Sequence, residues 1–183
     1  MSTAEAELAR GSNDAASADL ARRIQRLEDE RQLLQLIDLH AMLSDAGPAE
    51  GFAALYAEDC IVDLGEILVP GKATVVEGRE RLLEEIYFEP GHRAAEGRTQ
   101  HFRSGPQIIQ VDGDEAAGVT YASTSLVQSD GSARIMVSGF NFLGFTRASG
   151  RWRINRRIHR RLGDADVIAL FRPLVARALA GLG

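Results

Sequence analysis

Cysteine is almost absent from this sequence, since Cys60 is the only one among 183 residues. A single cysteine excludes an internal disulfide, and without a cysteine and histidine cluster no thiolate zinc site is available. No apolar run approaches the ~20 residues that cross a bilayer. The first residues lack the basic-then-apolar order of a secretory signal. We therefore expect a cytoplasmic protein that makes no membrane contact.

Positive charge is also in deficit, with 21 Lys and Arg against 26 Asp and Glu and a net charge of -5. A nucleic-acid partner needs a positive surface, so this class of ligand is excluded as the main partner. The hydrophobic fraction of 45% is ordinary for a globular protein with a core. The length fits one domain.

The domain is expected to span 18–183, because residues 1–17 carry almost no large apolar group and predict a disordered segment. From Asp19 apolar residues recur at helical spacing until DAGP at 45–48 stops the helix. A short helix fits GFAALYAED, a strand fits 60–64, and a third helix fits 78–88. The loop EPGHRAAEGR that follows is long enough to form a flap. The stripe of the first helix includes Leu20, Ile24, Leu27, Leu34, Ile37 and His40.

The period then changes to two, which predicts strands at about 99–111, 115–128, 133–147 and 151–161. The separators DGD, SDG and ASG are typical of hairpin turns, and the tail after 163 predicts a C-terminal helix that contains Pro173. Helices followed by a four-stranded antiparallel meander predict an α+β fold. We expect the curved sheet to wrap the long helix and form a cone with a cavity.

Three residues are candidates for chemistry in such a cavity, and each has a simpler interpretation. Asp45 ends the first helix, where it could equally be a solvated carboxylate. His40 lies one turn earlier and could be a buried structural histidine. His101 begins a strand, so that either Gln100 and Phe102 or His101 and Arg103 face the cavity; a histidine there could also cap a loop.

Three groups of segments stand out between about 24 and 160: LEDERQLLQLIDLHAMLSDAG with FAALYAEDCIVD, then VEGRERL, then TQHF, VDGDEAAGVTY and SGFNFLGFTRASGRWRINRR. In these segments the chain resembles the SnoaL-like branch of the NTF2-like superfamily, which includes scytalone dehydratase, hexachlorocyclohexane dehydrochlorinase and bile-acid dehydratase. This resemblance implies a cone-shaped curved antiparallel sheet packed on a long N-terminal helix.

The resemblance implies that His101 is the catalytic base and that Asp45 orients it, with His40 as a further pocket residue. Asn141 falls where scytalone dehydratase has a substrate-binding asparagine. Two of those dehydratases place a tyrosine where this chain has Leu64, and Tyr121 is the phenol that could substitute for it. A carboxylate on one imidazole nitrogen fixes the tautomer and stabilises the imidazolium that forms.

Arg147 shares strand parity with Asn141, so it could hold an acidic group or an oxyanion; the alternative is a solvated charge near a turn. We interpret the run RINRRIHRR, 153–161, as an outer sheet face or oligomer contact. Cys60 lies in an apolar strand and is expected in the core.

These residues predict a cofactor-independent and metal-free lyase or isomerase, dehydratase-like, that acts on a small hydrophobic ring compound. Two alternatives stay open. One is a ligand-binding or assembly protein that uses the same cone without catalysis, and the other is a polyketide cyclase. We also expect a homo-oligomer, either a dimer or a trimer, because the open sheet face needs apolar cover.

Overall fold

The computed structural model describes residues 3–69 and 71–181, and the side chains at 13–67, 71–103 and 109–181. Within these residues, five helices and six strands follow one another. The elements are α1 Thr3–Ala46, α2 Ala49–Ala54, β1 Tyr56–Val69, β2 Lys72–Glu77, α3 Arg79–Leu82 with a π-helical turn Leu83–Tyr87, α4 Pro90–Ala94, β3 Thr99–Asp112, β4 Glu115–Val127, β5 Ala133–Ala148, β6 Arg151–Arg161 and α5 Val167–Ala180.

The strands form one curved sheet in the order β2-β1-β6-β5-β4-β3. The antiparallel meander β3 to β6 is confirmed, and glycines with positive φ occupy its first and last hairpin turns, Gly113 at 60° and Gly150 at 73°. The sheet as a whole is mixed rather than purely antiparallel, because β1 pairs in parallel with β6 and adds β2 beyond it. The α+β class with a long N-terminal helix on the sheet is confirmed.

Helix α1 packs on the concave face of the sheet, against β3 and β6. The face that it buries matches the predicted apolar stripe only in part, since Ile37 and His40 are buried whereas Leu20, Ile24, Leu27 and Leu34 are exposed. The buried face also includes polar residues, which hydropathy does not select. Its members are Asp29, Leu33, Ile37, His40, Ala41 and Ser44.

The chain is helical from Thr3, within the segment 1–17 that we predicted to be disordered or loosely attached. Residues 13–28 are all exposed, so this part of α1 buries nothing. The alanines of the segment favour helical backbone even without burial.

The core lies between α1, α2, α3 and the concave face, where the side chain of Cys60 is fully buried, as predicted. Helix α5 covers part of the opposite face through Phe140, Phe142 and Phe171. None of the described helices is both long and apolar enough to cross a membrane.

Candidate functional site

A cavity of about 110 Å³ lies inside the cone, beside the last turns of α1. Its lining includes all four histidines of the chain, although they come from four separate elements. The lining residues are His40, Ser44, Phe52, Leu64, Ile67, Ile86, Tyr87, His92, His101, Arg103, Thr124, Val137, Arg157 and His159. A cavity of this order holds a small ring, since an engineered cavity of about 150 Å³ binds benzene.

Asp45 and His101 form a close pair at one side of this cavity. The Oδ1 atom of Asp45 lies 2.6 Å from Nδ1 of His101. The backbone N–H of His101 also donates to both carboxylate oxygens, at 3.0 and 2.9 Å. Because a carboxylate only accepts hydrogen bonds, Nδ1 carries the proton, and Nε2 is the nitrogen left to act on a ligand.

Backbone contacts hold Asp45 in position at the end of α1. Its carbonyl oxygen accepts a hydrogen bond from Gly97 N at 3.1 Å, which joins the end of the helix to the chain just before β3. The Tyr87 hydroxyl donates to the carbonyl oxygen of Gly47, two residues beyond Asp45. Tyr87 comes from the π-helical turn, a distortion that is frequent at functional sites.

Burial sets the protonation of the cavity histidines. Burial lowers the pKa of His101, although the hydrogen bond to Asp45 opposes the shift. Burial also lowers the pKa of His40 well below its usual value, and it lowers the pKa of His159 to about 3. These three imidazoles are therefore neutral at pH 7, the state in which His101 can accept a proton.

His40 lies in the cavity wall, as predicted, and is 5% exposed. Its ring packs against the rings of Phe52 and Tyr56, and its Nε2 atom has no hydrogen-bond partner among the described residues. A buried polar atom without a partner costs free energy unless a ligand or water satisfies it. His40 thus packs against two core rings and brings an Nε2 atom without a described partner to the cavity wall.

The run 153–161 does not form an outer face throughout, which corrects our interpretation of RINRRIHRR. Arg157 and His159 line the cavity, whereas Arg156 is exposed. A β-bulge in β6 causes this, because the pairing with β5 shifts by one residue between Gly144–Arg156 and Phe145–Ile154.

Asn141 lies directly behind these two side chains, fully buried on β5. Its Oδ1 atom accepts a hydrogen bond from Arg157 Nε at 3.0 Å and lies 3.0 Å from His159 Nδ1. Asn141 is absent from the cavity wall itself. It orients Arg157 and His159, which line the cavity. The predicted contact of Asn141 with a substrate stays a prediction.

Two predicted substrate contacts lie away from the cavity. Tyr121 is 41% exposed and packs against Phe140 on the side of the sheet that α5 covers. Arg147 shares the concave face with Asn141, as parity predicted, but pairs with Asp29 at 2.7 Å. Strand parity gives the face of the sheet on which Arg147 lies but not its position along the strand. Tyr121 lies on the opposite face.

The sequence interpretation missed His92, His159 and Arg157, and it left the orientation of Arg103 open. His101 and Arg103 face the cavity, while Phe102 is exposed. His92 comes from α4, within the predicted flap, and its ring lies 6.5 Å from that of His101. The shared parity of Arg157 with His159 was a visible signal, but it did not show which face they occupy.

Four histidines around one cavity raise the question of a metal site. Within residues 3–69 and 71–181, no group of three or more His, Cys, Asp or Glu side chains is arranged to hold a metal ion. The histidines with resolved contacts are held by other partners, such as Asp45 and Asn141.

A comparison with family models matches residues 25–158 to the SnoaL-like domain. No curated protein matches the chain. Among solved structures, an NTF2-like protein with a cystatin-like fold from Novosphingobium aromaticivorans is similar at 29% identity and a TM-score of 0.74, over 84% of this chain and 96% of that one.

Two further structures from the same organism share the fold. A candidate scytalone dehydratase is 22% identical with a TM-score of 0.60, over 74% of this chain and 85% of that one. The beta subunit of a candidate aromatic-ring-hydroxylating dioxygenase is 19% identical with a TM-score of 0.59, over 78% of this chain and 96% of that one. At these identities the likeness concerns the fold alone.

Proposed function

The chain belongs to the SnoaL-like domain family, and from the geometry of its cavity we propose that it is a cofactor-independent lyase or isomerase acting on a small hydrophobic ring compound. The observation that carries this proposal is the 2.6 Å contact between Asp45 Oδ1 and His101 Nδ1 at the cavity wall. A base this well oriented is typical of general acid–base catalysis.

In the proposed reaction, His101 Nε2 removes a proton from a ring carbon next to a carbonyl or leaving group. The electron pair of the broken C–H bond then forms a new double bond. His101 becomes an imidazolium, and the negative charge of Asp45 stabilises it through Nδ1–H. Returning the proton to another carbon completes an isomerisation, and giving it to a departing hydroxyl completes an elimination.

The protonation state of His101 supports this chemistry. Burial keeps the pKa of His101 below its usual value, so the neutral base is the main form at pH 7. The low pKa has a cost, because a weaker base gives a smaller driving force for proton transfer. The hydrogen bond that His101 Nδ1 donates to Asp45 offsets part of that cost, because it raises the pKa of His101.

The acid that would assist a leaving group differs from the phenol of the related dehydratases. Leu64 occupies the cavity wall where they have a tyrosine, and Tyr121 lies outside the cavity. The side-chain hydroxyls in the wall come from Ser44, Tyr87 and Thr124. Those of Ser44 and Tyr87 already donate to backbone carbonyls. His101 in its protonated form is therefore the acid that the site supplies.

The test is exchange of carbon-bound protons in D2O, followed by proton NMR with a panel of small cyclic ketones. The intact protein is expected to speed exchange at the carbon next to the carbonyl. The variant His101→Asn should lose about 10²- to 10⁴-fold, the usual contribution of a general base, and Asp45→Asn should lose part of that rate.

Asp38→Asn is the matched control, because Asp38 is an exposed carboxylate on the same helix as Asp45. Its exchange rate should equal that of the unaltered protein. Equal rates in His101→Asn and the unaltered protein would refute the proposed catalysis. Ring compounds that bind without exchange would then favour the ligand-binding alternative.

A further inference from the structure

The charge of the cavity is opposite to that of the whole chain. The protein carries a net charge of -5, yet the cavity wall holds two arginines, Arg103 and Arg157, and no aspartate or glutamate. The nearest identified carboxylate, Asp45, is held by the backbone and ring of His101. Since three of the four histidines are neutral for the reasons given above, the arginines dominate the charge that a ligand meets.

Neither arginine has a carboxylate partner among the described side chains. Arg103 Nη1 donates to the carbonyl of Phe102 at 3.2 Å, and Arg157 Nε donates to Asn141 Oδ1 at 3.0 Å. A guanidinium carries five N–H donors in a planar fork that fits a carboxylate with two hydrogen bonds. Among the described residues, each guanidinium keeps N–H donors beyond these bonds and beyond the contact of Arg157 with the Tyr56 hydroxyl.

Two guanidiniums in one cavity wall are electrostatically unfavourable by themselves. Burial and the nearby charge of Arg157 lower the pKa of Arg103 to about 10. Two cations that lie close together in a partly desolvated site repel each other, and each loses hydration without gaining a counter-ion. An anionic group bound between them would supply the missing acceptors and relieve the repulsion.

The remainder of the wall favours a ring rather than a free inorganic anion. Phe52, Leu64, Ile67, Ile86 and Val137 form the apolar part of the lining. His159 adds an unpartnered Nε2 atom; because its Nδ1 must donate to Asn141 Oδ1, this Nε2 can accept a hydrogen bond from a ligand hydroxyl. The site thus combines an apolar surface with two cations and a neutral acceptor.

We propose that the cavity binds a small ring compound that carries a carboxylate, with the carboxylate held by Arg103 and Arg157 and the ring against the apolar wall. The claim that this ring compound is a substrate rests on the proposed function. The binding of a carboxylate by the two arginines does not. The same two guanidiniums would offset the negative charge that develops when His101 removes a proton.

The experiment compares benzoate with benzamide, which has the same ring and a neutral group of nearly the same shape. Binding of each is measured by NMR titration or calorimetry. Benzoate is expected to bind at least about tenfold more tightly, because hydrogen bonds to a charged group are stronger than neutral ones. Arg157→Gln and Arg103→Gln should each lower benzoate affinity about tenfold and leave benzamide nearly unchanged.

Arg156→Gln is the matched control, since Arg156 is an exposed neighbour on the same strand, and its affinity for benzoate should be unchanged. Arg157→Lys keeps the charge and should keep the preference for benzoate, which guards against a folding defect in the glutamine variant. Equal affinity for the two probes, no benzoate binding at millimolar concentration, or unchanged binding in both glutamine variants would each overturn the proposal.

His101→Asn separates this proposal from the catalytic one. Benzoate should still bind to this variant with its preference over benzamide, because the two arginines are intact. Loss of proton exchange with retained benzoate binding therefore supports both proposals. If the unaltered protein binds benzoate but exchanges no protons, that result would support the anion site and refute the catalysis.

Discussion

The arginines at the two ends of the concave sheet face differ in their partners. One end holds an arginine that is paired with a buried carboxylate, and the other end holds two arginines that are not. At the end away from the cavity, Arg147 Nη2 lies 2.7 Å from Asp29 Oδ2 and its guanidinium stacks on Trp152 at 4.4 Å. Asp29 also accepts hydrogen bonds from Trp152 Nε1 and Gln25. At the cavity end, Arg103 and Arg157 have no such carboxylate among the described residues.

The difference separates a structural network from a binding site. Burial raises the pKa of Asp29, but hydrogen bonds from Arg147, Trp152 and Gln25 outweigh it and hold that pKa below its usual value. Three donors on one buried carboxylate fix one packing arrangement. Unsatisfied cations and imidazoles instead reduce stability, and such groups are typically retained where a ligand needs them.

The largest effect is expected when the network of hydrogen bonds around Asp29 is broken. Asp29→Ala should lower the free energy of unfolding by about 3 kcal/mol, because it leaves Arg147 and Trp152 Nε1 without their buried acceptor. Urea denaturation measures this change.

Asp114→Ala is the control for that experiment, because Asp114 contacts the same arginine but its side chain is 77% exposed. Its loss should stay below about 0.5 kcal/mol, as for most exposed ion pairs. Similar losses in the two variants would mean that Asp29 is not the centre of the network.

A smaller effect is expected on the pH dependence of the free energy of unfolding, through His159 at the cavity end of the sheet. Burial lowers the pKa of His159 to about 3, whereas an unfolded histidine titrates near 6.5. Between these values the unfolded chain binds one more proton than the folded one, so stability falls as pH decreases. This residue alone contributes about 1.4 kcal/mol per pH unit.

His159→Gln should flatten the dependence of unfolding free energy on pH by that amount between pH 6 and pH 4, as estimated from the same linkage. Urea denaturation at several pH values gives the slope for both proteins. The other titratable groups are the same in the two proteins, so the difference between the two slopes reports His159. Parallel slopes would show that His159 is hydrated or already protonated.

The smallest effect is expected from removing an unpaired cation. Arg103→Leu should leave the free energy of unfolding unchanged or raise it by up to about 1 kcal/mol, since the variant loses no ion pair and removes a repulsion. Chemical denaturation at pH 7 would check the sign. A loss of about 2 kcal/mol would show that Arg103 has a structural partner.

Much of the fold was predictable from local pattern. The change from helical spacing to a period of two located the meander, and the turn residues DGD, SDG and ASG placed its hairpins within a residue or two. The predicted end of the first helix at 45–48 agrees with the observed end at Ala46. The pairing of Asp45 with His101 followed from the resemblance to the SnoaL-like family rather than from spacing.

The rest of the site was not predictable because it depends on contacts between distant elements. Alternation from the buried Trp152 and Ile154 would place Arg156 inside, but the bulge reverses the parity and brings in Arg157 and His159. Likewise, residues 20–27 and 29–44 both show helical periodicity. Only packing against the sheet decides that the second segment of α1 is buried and the first is exposed.

By itself, the sequence determined the order of elements, the meander, and the presence of a carboxylate at a helix end and a histidine at a strand start. These are local properties, set by side-chain period and turn chemistry within a few residues. The tertiary structure alone decided which cations are paired. Whether Arg147 or Arg157 has a carboxylate beside it depends on one bulge and on the angle at which α1 crosses the sheet, and neither is encoded in a short stretch of chain.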